Sequence, residues 1–210
     1  DHDALSARRS HGSPEPIGVR PPVNLPFAEA CAQRLVAWLQ PFCERIAIAG
    51  SVRRRKAAPS DIDLVVIPKH LEERDIFGSI QCKRNVTWSE IDRRITAEKW
   101  ELLRAGADIV SWRAKGVQVD VFWADASTWG TVLVCRTGSA EHNVWLDQYA
   151  KARGGKWHPQ IGLYLGNHRV SETEDDIYRA LGLDPIPPER REIHLLPSAG
   201  IVRVDIDRAA

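Results

Sequence analysis

Two carboxylates at the head of an apolar run place the strongest constraint on this chain. It reads Ile46-Ala-Ile-Ala, then Gly50-Ser51-Val-Arg-Arg-Arg, a short polar loop, and Asp61-Ile-Asp63-Leu-Val-Val-Ile67. Alternate residues of a strand point to one face, so Asp61 and Asp63 project together toward whatever the Gly-Ser turn holds. Carboxylates side by side repel, and such a pair usually exists to bind a divalent cation. The run Val117-Gln-Val-Asp120-Val-Phe-Trp123 reads as a second strand, with Gln118, Asp120 and Phe122 on one face and the valines on the other. Laid beside the first strand, it completes a cluster of three acids with Asp120. Magnesium or manganese suits that cluster. Zinc does not, because neither strand offers His or Cys beside the acids.

Punctuation divides the rest. Residues 1–24 carry Ser, Gly, Pro and charge without apolar period and read as a flexible leader. A helix is predicted from about Pro26 to Gln40, with Ala32, Leu35, Val36 and Leu39 on one face and Pro41 ending it. Between His70 and Ala105 the pattern predicts one or two helices, with Thr87 or Thr96 as N-caps. Strands near Ile109 and Asp120 complete a sheet. Beyond Trp129, Ser139 is placed to cap a helix ending at Gly154-Gly155, and Ser171 with Glu174 to open another that ends near Gly182. The fold class is α+β: a mixed-sheet domain over residues 25–130, a small α/β subdomain over 131–194 and a tail over 195–210.

Composition narrows the function classes. At 210 residues and 43% hydrophobic, the chain can bury one sizeable core or two small ones. No apolar stretch approaches the roughly 20 residues of a membrane span, and no charged-then-apolar leader reads as a secretion signal. Cys31, Cys43, Cys82 and Cys135 lack metal or disulfide spacing, which points to an intracellular, cytoplasmic protein, nucleoid-associated if it binds DNA. The absence of any Met marks a processed product or a fragment. Net charge is only +1, low for a protein that grips a long nucleic acid, so the expected footprint is small. Basic residues cluster at Arg53 to Lys56, beside the acids where a triphosphate would lie. Arg93-Arg94 reads as a solvated helix face. Trp100, Trp145 and Trp157 offer faces to bases, though aromatics at helical spacing usually belong to a core.

Gly50-Ser51-Val-Arg-Arg54 followed by Asp61-Ile-Asp63 resembles the nucleotidyltransferase signature of the family X DNA polymerases, the polymerase beta type. Thr137-Gly138-Ser139-Ala-Glu-His-Asn143 resembles that family's nucleotide-selection turn and helix, and the stretch from Gly162 to Ile186-Pro-Pro-Glu-Arg-Arg191 its closing subdomain. The resemblance covers about Leu25 to Arg191. It implies a nucleotidyltransferase palm and addition of nucleotides to a primer 3′-hydroxyl with release of pyrophosphate, in repair or gap filling. Asp61 and Asp63 would bridge two metal ions and Asp120 would bind one. Gly50, Ser51 and Arg54 would meet the phosphates. Gly138 and Ser139 would open a helix facing the nucleotide, with Asn143 contacting the base. Primer–template or gapped DNA and nucleoside triphosphates are the implied partners of a monomer, with no membrane. A template-independent enzyme, or one acting on RNA ends or small molecules, shares the same core.

Three departures carry consequences. Cys135-Arg136 stands where members of the family have an aromatic pair that crowds the sugar 2′ position, so sugar discrimination is expected to be weak. Asp147 stands where many have an arginine toward the template. No helix-hairpin-helix stretch or Lys-rich lyase domain precedes the palm, so no 5′-deoxyribose-phosphate lyase activity is expected. The tail from Leu195 faintly resembles a linker to a nuclease domain in bacterial relatives.

Overall fold

The computed structural model describes residues 23–192 apart from Asp75, Gly78, Pro159 and Ser171. The leader before Val23, the tail and the expected cap at Ser171 lie outside the described residues. Helix α1 (Leu25–Leu39) starts where Asn24 accepts from the Phe27 N–H at 2.9 Å, with Pro26 in its first turn, and it buries Ala28, Ala32 and Leu39. Pro41 falls in a 3-10 turn, Gln40–Phe42, that redirects the chain into β1 (Cys43–Ile48). A four-residue helix, α2 (Gly50–Arg53), then leads through the polar loop to β2 (Asp61–Pro68).

The expected helices after His70 give way to a hairpin, β3 (His70–Arg74) and β4 (Ile80–Asn85), followed by one helix, α3 (Val86–Glu98). Neither threonine caps it. Asn85 does, accepting from Trp88 N–H at 2.9 Å, because Thr87 is fully buried and donates its hydroxyl to the Phe42 carbonyl at 2.6 Å. Thr96 lies inside the helix. Strands β5 (Glu101–Ala105), β6 (Ile109–Ala114) and β7 (Val117–Trp123) finish a five-stranded sheet of order β1-β2-β7-β6-β5. Strands β2 and β7 run parallel at its centre and the other pairs are antiparallel. The fold class is the expected mixed-sheet α+β.

Strand alternation separates this sheet into a core face and a charged face. Ile62, Leu64 and Val66 of β2 pack with Val119 and Val121 of β7 beneath α1 and α3. The residues between them, Asp61, Asp63 and Val65 with Gln118, Asp120 and Phe122, point to the other side. There Val65, Ile67 and Phe122 pack against Trp129, Val132 and Leu133 of α4 (Trp129–Thr137). Almost every side of α4 is buried, as befits a helix clamped between two layers.

Behind α4 lies the C-terminal subdomain. Helix α5 (Ala140–Ala152) is capped by Ser139, as expected. Strands β8 (Gly155–His158), β9 (Gly162–Leu165) and β10 (His168–Val170) form a small antiparallel sheet. Helix α6 (Glu174–Ala180) is capped by Thr173, whose side chain accepts from Asp176 N–H. Val134, Leu146, Ala150, Leu163, Ile177 and Tyr178 fill a separate core, with Trp145 and Trp157 half-buried against it.

Gly130 is where α4 meets α6. A Cβ at that position would stand 2.4–2.6 Å from the backbone of Thr173, which cannot yield like a side-chain tip. Gly130→Ala is expected to cost about 2–3 kcal/mol by overpacking. Urea titration checks it, and a loss below half a kilocalorie would mean that the two helices are not in contact.

Candidate active site

The parallel register of β2 and β7 sets Asp63 directly opposite Asp120 and Asp61 opposite Gln118. All three acids therefore share the charged face, as the alternation predicts. Gln118 donates from Nε2 to both carboxylate oxygens of Asp120, at 2.8 and 3.1 Å, which orients that side chain along the strand. Asp63 pays most for the clustering. Burial first, then the charges of Asp61 and Asp120, push its pKa up to about 8, and the guanidinium groups of Arg136 and Arg54 only partly offset them.

Gly50 explains how the Gly-Ser turn reaches the acids. It holds a left-handed φ of 59°, and a Cβ there would fall 1.8 Å from Asp63 Oδ2. The backbone lies so close to the carboxylate that only glycine fits. The Ala49 N–H donates to the Asp63 carbonyl at 2.8 Å, which ties the turn to the strand. Next in sequence, the Ser51 hydroxyl is buried and has no hydrogen-bond partner. A buried hydroxyl without a partner costs about 1–3 kcal/mol.

These features decide what the cluster can hold. Its donors are carboxylate oxygens, the ligand type of hard cations. Mutual repulsion is relieved by a positive ion, and the orphan hydroxyl beside it suits a phosphate oxygen. Among the described residues no group of three or more such side chains is already closed around a common point.

Two other expected residues have different occupations. Arg54 donates from Nε to Glu192 at 2.7 Å and from Nη1 to the Thr137 carbonyl at 2.7 Å, so its guanidinium already bridges to the C-terminal subdomain. Asn143 donates to the Cys135 carbonyl at 2.7 Å and shares a contact with His142 Nδ1 at 3.2 Å, which turns its amide inward. Gly138 permits that inward packing: a Cβ there would meet His142 Nδ1 at 2.3 Å and Asn143 Oδ1 at 2.6 Å. Ser139 accepts from the His142 N–H at 3.1 Å and is nearly buried, as a cap. Cys135 is half-buried, and Arg136 lays its guanidinium 4.2 Å over the Phe122 ring with a buried, unpartnered Nε. Asp147 pairs with Lys151 one turn on, at 2.6 Å.

The sequence reading missed a buried ionic junction. Arg53 donates to Glu174 through both Nη atoms, at 2.9 and 2.5 Å, and to the Thr137 hydroxyl at 2.8 Å. Arg191, almost fully buried, donates to the same Glu174 at 2.6 Å and to the Ile186 carbonyl at 2.9 Å. In the sequence, Glu174 reads only as a capping acid. Its wide sequence separation from Arg53 leaves no local signal.

His142 completes the inner wall of this junction. It is fully buried, with Nε2 at 2.9 Å from the Tyr178 hydroxyl, and burial lowers its pKa to about 4 from an ordinary 6.5. The unfolded chain takes up that proton near pH 6.5 and the folded chain only near 4. The contribution to stability is therefore complete above 6.5 and lost as pH falls toward 4. Wild type is expected to lose about 2–3 kcal/mol from this group across the window. In His142→Gln that part of the acid sensitivity disappears, as read by denaturant titrations from pH 4 to 7. Parallel decline of the two proteins would refute the assignment.

Residues 132–192 match the family model of the DNA polymerase beta thumb. No curated protein matches the chain in sequence. Among solved structures, two of Leishmania infantum polymerase beta resemble it. One is described as a ternary P/T complex, with a TM-score of 0.62 over 81% of this chain and 77% of that one. The other is described as a ternary gap complex, with a TM-score of 0.63 over 81% of this chain and 71% of that one. Each is 17% identical to it, so these two likenesses speak for the fold. Residues 132–192 therefore match a polymerase beta thumb, and they are carried on a sheet domain whose fold is similar to that of polymerase beta.

Proposed function

We propose that the chain transfers a nucleotide from a nucleoside triphosphate to the 3′-hydroxyl of a DNA primer, with release of pyrophosphate, in repair or gap filling. The observation that carries this reading is the facing of Asp63 and Asp120 across the central parallel pair, with Asp61 on the same face and Gly50 pressed against Asp63. Divalent magnesium or manganese, held by Asp61, Asp63 and Asp120, would supply the positive charge that this transfer needs at the attacking hydroxyl and at the departing phosphates.

The chain's own groups supply the rest. Asp120, which faces Asp63 across the strand pair, is the acid assigned to the attacking hydroxyl. Ser51 offers its unpartnered hydroxyl to a phosphate oxygen. Arg54 joins it by exchanging Glu192 for phosphate, which couples nucleotide entry to the contact between the two parts of the chain. The solved complexes described as P/T and gap complexes support DNA as the partner. The intracellular location follows from that partner.

Weak sugar discrimination is supported by the small, half-buried Cys135 and by the retreat of Arg136 onto Phe122. Nothing bulky is supplied by either residue to reject a 2′-hydroxyl.

Primer extension on gapped DNA with magnesium is expected to fall by roughly a thousandfold in Asp63→Asn and in Asp120→Asn, the scale of several kcal/mol of lost charge stabilisation. Circular dichroism should show both variants folded, and activity within tenfold of wild type in either would end the reading. For the sugar, ribo- and deoxyribonucleotides should be incorporated at rates within about tenfold of each other. Cys135→Tyr should restore a deoxy preference, and a wild-type preference of a thousandfold would defeat the idea.

A further inference from the structure

On the reverse of the acidic strands, the sheet carries a second concavity. Ile62 and Val119, the residues alternating with the acids, form part of the floor of a groove of about 330 Å³. Its walls come from α1, the end of α3 and the β6–β7 turn, and carry Trp38, Trp100 and Trp112 with Arg34, Arg94 and Lys115. The volume lies at the lower end of the roughly 300–1,000 Å³ typical of small-ligand pockets.

The lining has an unusual chemistry. Trp100 and Trp112 lie parallel, 3° apart with centroids at 6.3 Å, and Trp38 stands edge-on to both. The Arg94 guanidinium sits 4.9 Å from the Trp38 ring and 5.9 Å from Trp100, so the expected solvated face at Arg93-Arg94 holds for Arg93 only. Two buried donors here have no acceptor: Arg94 Nε and the indole N–H of the fully buried Trp112. Among the described residues three cations and no acid line the groove. Nearby Glu90 is already engaged by Trp38 Nε1 and by Arg93, each at 2.8 Å.

Lys115 stands at this rim in a backbone conformation that lysine does not favour. Lys115 holds a left-handed φ of 50° beside Gly116 at 82°, in a two-residue hairpin where Asn or Gly is the usual choice. Lys99, at φ 54°, ends α3 and delivers Trp100 into the groove.

Aromatic surface, a spare guanidinium donor and clustered positive charge are together the recognition chemistry of a nucleotide. We infer that this groove binds single-stranded DNA, one base against the half-buried Trp38 and Trp100 and the flanking phosphates on Arg34 and Lys115. The choice of DNA rests on the proposed function; the ligand's planar, anionic and acceptor-bearing character rests on the groove alone. Such a site would hold a strand behind the catalytic sheet, apart from the acids on its other face.

The test is made on the full chain in EDTA, where metal-dependent catalysis is silent. Binding of a short oligothymidylate is followed through the tryptophan indole N–H resonances. The Trp100 signal should move as a base packs against its ring. Arg34→Gln with Lys115→Gln should weaken the affinity about tenfold and flatten the salt dependence by roughly 1.4 log units per decade, two phosphate contacts' worth for a single strand. Asp63→Asn should bind within twofold of wild type. An unmoved Trp100 signal, an unaltered affinity in the double variant, or equal binding of an oligoglutamate peptide of matched charge overturns the proposal. Catalytic failure with intact groove binding would remove the proposed function and leave this site standing.

Discussion

The facing of Asp63 and Asp120 across β2 and β7 is the contact to which the other features answer. Two acids placed opposite on a half-buried strand pair repel, and burial raises the cost. The protein tolerates this because the same strands bury Ile62, Leu64, Val66, Val119 and Val121 on their reverse. A one-residue slip would move the acids into that core and the valines to the surface, so burial of the apolar face holds the charged face in register. Core packing and site geometry are two consequences of one alternation.

Around the acids, positive charge arrives from outside the sheet. Arg54 comes from the turn after β1 and Arg136 from the end of α4, and both draw the Asp63 pKa downward without cancelling the effect of burial. The residual demand for cationic charge is the physical reason for assigning an ion there. Gly50 contributes by absence: without its missing side chain the turn could not lie against Asp63.

The junction between the sheet domain and the thumb is ionic where it nears the site and apolar farther back. Arg53, Arg191 and Glu174 form a buried cluster whose members satisfy one another, while Trp129, Val132 and Leu133 seat α4 on the sheet. Buried ion pairs are costly to break by removing one partner. Arg54 bonds instead to Glu192, whose side chain is 27% exposed, about twice as open as the 13% of Glu174. A phosphate could compete for it there, and the link between subdomains would change with it.

Much of this was legible along the chain because it depends on neighbours in sequence. Residue alternation alone put Asp61, Asp63 and Asp120 on one face, and Pro41 and Ser139 marked the end of α1 and the start of α5. Local pattern failed at His70–Asn85, where a hairpin replaced a helix, and at Thr87, whose hydroxyl is claimed by Phe42 from across the fold. The run Trp129-Gly-Thr-Val-Leu-Val carries no amphipathic period, since α4 is buried on nearly all sides, and its helix went unread. Only the tertiary structure decided that Arg54 and Asn143 are bonded within the protein, that Arg136 lies on Phe122, and that Glu174 joins two arginines. Periods of two and 3.6 residues are set by backbone geometry and can be counted, but a bond between positions 53 and 174 exists only once folding has brought them together.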